Sequence, residues 1–107
     1  MIKVLIADDH ALFRDGLKRI INETDDIDVV AEAIDGKDIL KKAKECDWDI
    51  ALLDINLPDI NGLDILKRIL SANASSRVLV LSMYPEEEYA IRAIRSGASG
   101  YLTKDSP

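Results

Sequence analysis

The sequence has few of the residues that mark secreted, fibrous or membrane proteins. Its 107 residues include one cysteine, three prolines and five glycines, and only 5% are aromatic. Cys46 has no partner for an internal disulfide, so nothing in the chain requires an oxidising compartment. No apolar run is long enough for a secretory signal or a membrane span. We therefore expect a cytoplasmic protein with no membrane contact.

Positive charge is also scarce. The chain has 14 lysines and arginines against 20 aspartates and glutamates, which gives a formal net charge of -6. The basic residues are scattered, whereas binding to nucleic acid phosphates needs them clustered. Any action on DNA would therefore require a domain outside this chain. The length and the 48% hydrophobic content suit one globular domain.

Short apolar runs recur along the chain at regular intervals. Their hydrophobicity is continuous rather than alternating, which predicts strands that are covered on both faces, as in a parallel sheet. The four clear runs are Val4–Ala7, Val29–Ala31, Ile50–Leu53 and Val78–Leu81. A fifth and weaker candidate is Ser99–Thr103.

Helical periodicity separates these runs. Apolar residues at helical spacing predict one helix over Phe13–Ile21 and others around Ile39–Ala43 and Leu66–Leu70. A fourth helix is expected to begin at Pro85 and to stop at Gly97. This alternation of strands and helices predicts a doubly wound α/β fold that binds ligands at the carboxyl ends of its strands.

Polar residues stand at the predicted carboxyl ends of four strands. Asp8 and Asp9 follow the first, Asp54 the third, Ser82 the fourth and Lys104 the fifth. One aspartate after a strand is usually a turn residue, but five such groups at one sheet edge are hard to obtain by chance. Crowded carboxylates repel one another unless some protonate or a cation binds. Oxygen ligands suit Mg²⁺ or Mn²⁺, and such a site is equipped for phosphoryl transfer, with an aspartate as nucleophile.

His10 directly follows the acidic pair and raises the question of a nitrogen ligand. It lies where the first helix is expected to begin. A partly exposed histidine in that position is more often a bystander than a ligand, so we do not expect it to bind the metal.

These residues resemble the receiver domain of bacterial two-component response regulators over essentially the whole chain. The matching features are the Asp8-Asp9 pair, Asp54, the segment Leu57–Gly62, Ser82, and the run from Gly97 to Lys104. The resemblance implies a flavodoxin-like fold, with a five-stranded parallel sheet in the order 2-1-3-4-5. The family's final helix is absent from this chain.

The resemblance also implies a role for each residue of the acidic site. Asp54 would accept a phosphoryl group from a phosphohistidine of a sensor histidine kinase. Mg²⁺ or Mn²⁺ would be bound by Asp9, Asp54 and the backbone carbonyl of Asn56, with Asp8 acting largely through water. Lys104 would contact the phosphoryl oxygens.

The family's switch residues are also matched. Ser82 would move to hydrogen-bond the phosphoryl group, and Tyr101 would swing inward after it. Asn56 and Tyr84 flank the site and would tune the lifetime of the phosphorylated state. Outside its own phosphorylation and slow dephosphorylation, we expect no enzymatic activity.

Two segments resemble the NarL/FixJ type of regulator, which carries a C-terminal LuxR-type helix-turn-helix that binds DNA. They are Ala7–Leu17 and Tyr101–Asp105. We expect residues 1–107 to be an incomplete receiver domain from a transcriptional regulator, with an exposed apolar strip along the first helix that favours homodimers. The alternatives are a stand-alone receiver and a slow aspartyl-phosphate phosphatase. Asn56 disfavours the second, because such phosphatases have an aspartate there as general acid.

Overall fold

A computed structural model of the chain describes residues 1–83 and 87–104. Strands and helices alternate along these residues. The strands are β1 (Ile2–Ala7), β2 (Ile27–Ala33), β3 (Ile50–Asp54), β4 (Arg77–Ser82) and β5 (Gly100–Thr103). The helices are α1 (Ala11–Asn22), α2 (Gly36–Glu45), α3 (Gly62–Ala72) and α4 (Glu87–Arg95).

The strands form one parallel sheet in the order β2-β1-β3-β4-β5. This confirms the predicted doubly wound α/β fold and its strand order. The first four strands extend slightly beyond the apolar runs that predicted them, and β5 begins one residue later than expected. Right-handed crossovers place α1 on one face of such a sheet and the other helices on the opposite face.

The main core lies between the sheet and the α2–α4 layer. Alternate strand residues point into it, and Leu5, Leu53 and Val80 are almost completely buried there. Ile65 and Leu66 of α3 pack against them and are also inaccessible to solvent. This rigid layer fixes the positions at which the strands end.

The opposite face of the sheet is covered less completely. Helix α1 contacts mainly β2 and has no fully buried residue. Leu12 and Ile20 of α1 are 88% and 64% exposed, and Leu102 of β5 is 51% exposed. Large apolar side chains are therefore exposed on α1 and on β5.

Local interactions define two helix ends, and the end at Gly97 is the predicted one. The Asn61 side chain accepts a hydrogen bond from the Leu63 N–H at the start of α3. Gly97 has a φ of 107°, a conformation that side chains with a Cβ rarely adopt, and it ends α4. The predicted start of that helix at Pro85 lies outside the described residues. Within the described ranges, no helix is long and apolar enough to cross a membrane.

Candidate functional site

The carboxyl ends of four parallel strands bring the predicted polar residues together. Asp8 and Asp9 follow β1, and Asp54 is the last residue of β3. Ser82 ends β4, and its carbonyl accepts a hydrogen bond of 2.7 Å from the backbone N–H of Lys104, just after β5. Asp8, Asp54 and Ser82 are essentially inaccessible to solvent. Residues that are far apart in sequence thus share one small volume at the sheet edge.

Lys104 lies at the centre of this volume. Its Nζ is 2.5 Å from Asp8 Oδ2 and 3.0 Å from Asp54 Oδ2, and its side chain is only 3% exposed. Burial of charged groups is costly unless they are paired, and the ammonium group provides an opposite charge for both carboxylates. With Asp9 included, the cluster contains three carboxylates and one ammonium group. The cluster therefore retains negative charge that favours a further cation.

His10 contributes to the same cluster through both its backbone and its ring. Its backbone N–H donates a 2.8 Å hydrogen bond to Asp8 Oδ1. The ring Nδ1 is 3.1 Å from that oxygen and 3.2 Å from Asp9 Oδ1. It is also 4.0 Å from Asp54 Oδ2. His10 was expected to be a bystander, yet its ring contacts two carboxylates of the acidic cluster.

The donor atoms of this cluster fit a divalent cation. One atom each from Asp8, Asp9, His10 and Asp54 can be chosen so that all four lie within 4.8 Å of one another. Carboxylate oxygens are the protein ligands that Mg²⁺ and Mn²⁺ favour. The carbonyl ligand predicted at Asn56 stays a prediction.

Two further residues of α1 support the site, and the sequence analysis did not assign them to it. The Phe13 ring lies under the Lys104 ammonium group, with Nζ 4.6 Å from the ring centroid, a cation–π contact. Arg14 Nη1 donates a 2.6 Å hydrogen bond to the carbonyl of Asp8. Their distance from Asp9 in the sequence, about one helical turn, was the available signal.

The loop between β3 and α3 orients the Asp54 carboxylate. The Asn56 backbone N–H donates a 2.9 Å hydrogen bond to Asp54 Oδ1, while the Asn56 side chain is exposed. The loop then folds back so that the Gly62 N–H donates to the carbonyl of Ile55, at 3.2 Å. A Cβ on Gly62 would lie 2.5 Å from Ile55 Cα. The loop therefore needs glycine at this position.

Replacement of Gly62 by alanine should destabilise the domain by about 2 kcal/mol or more, because the clash is with backbone that cannot move aside. Urea unfolding at equilibrium measures the change. Gly16→Ala is the matched control, since a Cβ there would meet nothing within 4 Å. Alanine is favoured over glycine in a helix, so this control should be neutral or stabilising. Equal midpoints for the two variants would contradict the prediction.

Asp59 connects the loop between β3 and α3 to helix α2 through hydrogen bonds. Its Oδ1 accepts a 2.6 Å hydrogen bond from the Gly36 N–H, and its Oδ2 accepts one of 3.0 Å from the Lys37 N–H. These are backbone donors of the first turn of α2, which favours negative charge. The hydrogen bond from Gly36, and then that from Lys37, lowers the pKa of Asp59 below its ordinary value of 3.8. The sequence analysis did not find this connection.

The lowered pKa makes a prediction about acid stability. A carboxyl whose pKa is depressed by folding stabilises the protein above its unfolded value, and this stabilisation is lost as the pH falls through the folded value. Asp59→Asn should therefore lower the melting temperature at neutral pH, and the deficit should shrink below about pH 3.8. Thermal melting across this pH range measures the effect. The exposed Asp28→Asn is the control, and a deficit for Asp59→Asn that is independent of pH would contradict the assignment.

The predicted switch residues occupy the adjacent strands. Ser82 is buried at the end of β4, where it pairs in register with Thr103. Tyr101 is half-buried and packs against the main core. Their movement on phosphorylation remains a prediction. Tyr84, the second residue assigned to lifetime tuning, lies outside the described residues.

Comparison with known proteins places this geometry in a family. Residues 4–107 match the model of the response regulator receiver domain. The chain is 40% identical over 102 residues to the nitrate/nitrite response regulator protein NarL of Escherichia coli, covering 95% of this chain and 47% of the relative. It is 38% identical over 104 residues to the transcriptional regulatory protein DegU of Brevibacillus brevis, covering 97% of this chain and 44% of the relative. The chain thus spans about half the length of these curated relatives.

Solved structures agree with the fold. The signal receiver domain of the putative response regulator NarL from Mycobacterium tuberculosis superposes with a TM-score of 0.92 at 36% identity, over 99% of this chain and 86% of that one. A LuxR-family two-component response regulator from Aurantimonas superposes with a TM-score of 0.92 at 33% identity, over 97% and 74% of the two chains. The chain belongs to the receiver domains of two-component response regulators, of the NarL/LuxR type.

Proposed function

We propose that Asp54 accepts a phosphoryl group from a phosphohistidine on a sensor histidine kinase. One observation carries the proposal above the others. The Asp54 carboxylate is completely buried, yet it is paired with Lys104 Nζ at 3.0 Å and hydrogen-bonded by the Asn56 N–H at 2.9 Å. A buried carboxylate that is paired with an ammonium group at the ligand-binding edge of the sheet is suited to act as a nucleophile.

The transfer requires one bond to form and one to break. A carboxylate oxygen of Asp54 attacks the phosphorus, and the phosphorus–nitrogen bond of the phosphohistidine breaks. The bonding electron pair returns to the imidazole nitrogen of the kinase, and an aspartyl-phosphate results. Catalysis of such a transfer depends on positioning and on neutralisation of the charge that spreads over the phosphoryl oxygens.

The residues around Asp54 divide this work. Lys104 pairs with Asp54 at 3.0 Å. After transfer, its ammonium group would neutralise negative charge on the phosphoryl oxygens. Asp9 and Asp54, with Asp8 beside them, would hold a divalent cation such as Mg²⁺. When bound, this cation supplies positive charge to the transferring group. The Phe13 ring also contacts the ammonium group of Lys104, which lies 4.6 Å from the ring centroid.

The phosphoryl group then acts as a switch. It adds a charge of about -1.5 to -2 and strong acceptor oxygens at one strand end. Ser82 at the neighbouring strand end would donate to them, and Tyr101 would repack as a consequence. We propose that this change controls a DNA-binding domain of a longer protein, as the names of the transcriptional regulators among its relatives suggest.

The exposed side chain of Asn56 supports a switch rather than a phosphatase. An amide cannot supply the carboxylic proton that rapid turnover of an aspartyl-phosphate requires. We therefore propose that the domain catalyses only its own phosphorylation and slow dephosphorylation. Sustained hydrolysis of a phosphomonoester over many turnovers would overturn this assignment.

The test of the proposal uses the chain with Mg²⁺ and a small phosphodonor. The intact mass should rise by one phosphoryl group, and peptide mapping should place the group on Asp54. Chelation of the metal should abolish the labelling. A mass that does not change in the presence of Mg²⁺ would exclude the proposal.

A further inference from the structure

His10 is the only histidine of the chain, and its position is unexpected for a bystander. Its ring is 57% exposed and makes no side-chain cap for α1. The ring is turned toward the acidic cluster, where Nδ1 contacts Asp8 Oδ1 and Asp9 Oδ1 at 3.1 and 3.2 Å. The Nδ1 atom is at hydrogen-bonding distance from Asp8 Oδ1 and lies 3.4 Å from Lys104 Nζ, so the ring faces the side of the cluster where positive charge is already held.

The distances match those between the ligands of one metal ion. With bonds of about 2.1 Å, adjacent ligands of an octahedral ion lie about 3.0 Å apart and opposite ligands about 4.2 Å apart. His10 Nδ1 lies at close to the adjacent distance from the oxygens of Asp8 and Asp9. It lies 4.0 Å from Asp54 Oδ2, within the span of atoms that could bind one ion together.

The chemistry of the donor atoms then sets the choice of metal. A site built from carboxylate and carbonyl oxygens alone favours hard ions such as Mg²⁺. An imidazole nitrogen favours ions such as Ni²⁺, Co²⁺ and Zn²⁺, which bind nitrogen more strongly. Adding a nitrogen ligand should therefore raise the affinity for transition metals much more than the affinity for Mg²⁺.

We propose that His10 is a ligand of the divalent cation and that it makes the receiver site selective for transition metals that bind imidazole. The proposal rests on the proposed function only in that both use the cation site formed by Asp9 and Asp54. It changes the expected role of His10 from bystander to determinant of metal specificity.

The first experiment compares metal affinities in protein prepared without a histidine tag. Calorimetric titrations with Ni²⁺ and with Mg²⁺ are carried out on the wild type, His10→Gln and His10→Ala. Glutamine keeps a hydrogen-bonding side chain without the imidazole nitrogen, so it separates metal binding from contacts with the carboxylates. Melting curves show whether each variant remains folded, as expected for a side chain this exposed.

Loss of the His10 imidazole should lower the affinity for Ni²⁺ and leave the affinity for Mg²⁺ nearly unchanged. Even partners of a ligand contribute tenfold or more to metal affinity, so both variants should bind Ni²⁺ at least about tenfold more weakly. The affinity for Mg²⁺ should change by no more than about twofold, because Mg²⁺ favours oxygen and retains several waters. Equal losses for the two metals, or no loss of Ni²⁺ affinity, would overturn the proposal.

A spectroscopic measurement identifies the ligand directly. Proton NMR of the Co²⁺-loaded chain should show a strongly shifted imidazole ring C–H resonance, which can come only from His10 because the chain has one histidine. The resonance should be missing in His10→Gln. Its absence from the folded, Co²⁺-loaded wild type would also overturn the proposal.

These outcomes are separate from those that test the phospho-acceptor. If the wild type takes up a phosphoryl group with Mg²⁺ but Ni²⁺ binding does not depend on His10, only the metal proposal fails. If Ni²⁺ binding depends on His10 but no phosphoryl group is accepted, only the proposed function fails.

Discussion

Replacement of Asp54 by asparagine is expected to abolish phosphoryl labelling completely while the domain remains folded. The amide has nearly the shape of the carboxylate but is not a nucleophile of comparable strength. Its oxygen can still accept the hydrogen bond from the Asn56 N–H, which Asp54 Oδ1 accepts in the native protein. The ion pair with Lys104 is lost, but Lys104 retains its pair with Asp8 at 2.5 Å. Intact-mass measurement after exposure to a small phosphodonor and Mg²⁺ reports the labelling.

The substitution should not unfold the protein, because it removes one charge from a buried cluster that has an excess of negative charge. Melting curves check this point, so that lost labelling cannot be mistaken for lost structure. The matched control is Asp64→Asn, an exposed aspartate in the first turn of α3, which should be labelled at the wild-type rate. Labelling of Asp54→Asn at that rate would show that another residue is the acceptor.

Much of this site could be predicted because the sequence specifies where the strands end. Continuous apolar runs indicate buried parallel strands, and parallel strands bring their carboxyl ends to one edge. Asp8, Asp54 and Lys104 could therefore be placed together although Lys104 is separated from Asp54 by a long stretch of chain. The argument needed only strand order and direction, and the sheet confirms both.

The contacts that were missed depend on side-chain directions that periodicity does not give. Phe13 fits the apolar stripe of α1, and nothing in the pattern distinguishes a ring that packs on the sheet from one that lies under an ammonium group. Asp59 lies in a loop, and its hydrogen bonds to Gly36 and Lys37 depend on how that loop returns past α2. The position of His10 at a helix start predicts a bystander, whereas its ring orientation is set by the tertiary structure.

The position of Lys104 between two buried carboxylates leads to the second large effect. Lys104→Met keeps the length and most of the apolar stem of the side chain but removes the charge. Asp8 and Asp54, both completely buried, then lose the ammonium group that lies 2.5 and 3.0 Å from them. Removal of one partner from a buried ion pair typically costs about 3–5 kcal/mol, because the remaining charge is left without compensation. We expect a loss near this size in the free energy of unfolding when no metal is present.

Added Mg²⁺ should distinguish this explanation from a simple packing defect. A cation bound to the native state stabilises it in proportion to the logarithm of its concentration relative to its dissociation constant. Without the competing ammonium group, the carboxylates should bind Mg²⁺ more tightly, so Mg²⁺ should stabilise Lys104→Met more than the wild type. Phosphoryl labelling should remain slow even in the stabilised variant, because the metal does not replace the contact of Lys104 with the phosphoryl oxygens.

Urea unfolding with and without Mg²⁺ measures both effects in the same preparation. Lys67→Met is the matched control, since Lys67 is exposed on α3 and forms no ion pair among the described residues. Its midpoint should stay close to that of the wild type under both conditions. If Lys104→Met were as stable as the wild type without metal, the buried carboxylates would not depend on Lys104 for their charge. If Mg²⁺ stabilised Lys104→Met and the wild type equally, Lys104 and the metal would not compete for the same carboxylates. The arrangement proposed for phosphoryl transfer would then have to be revised.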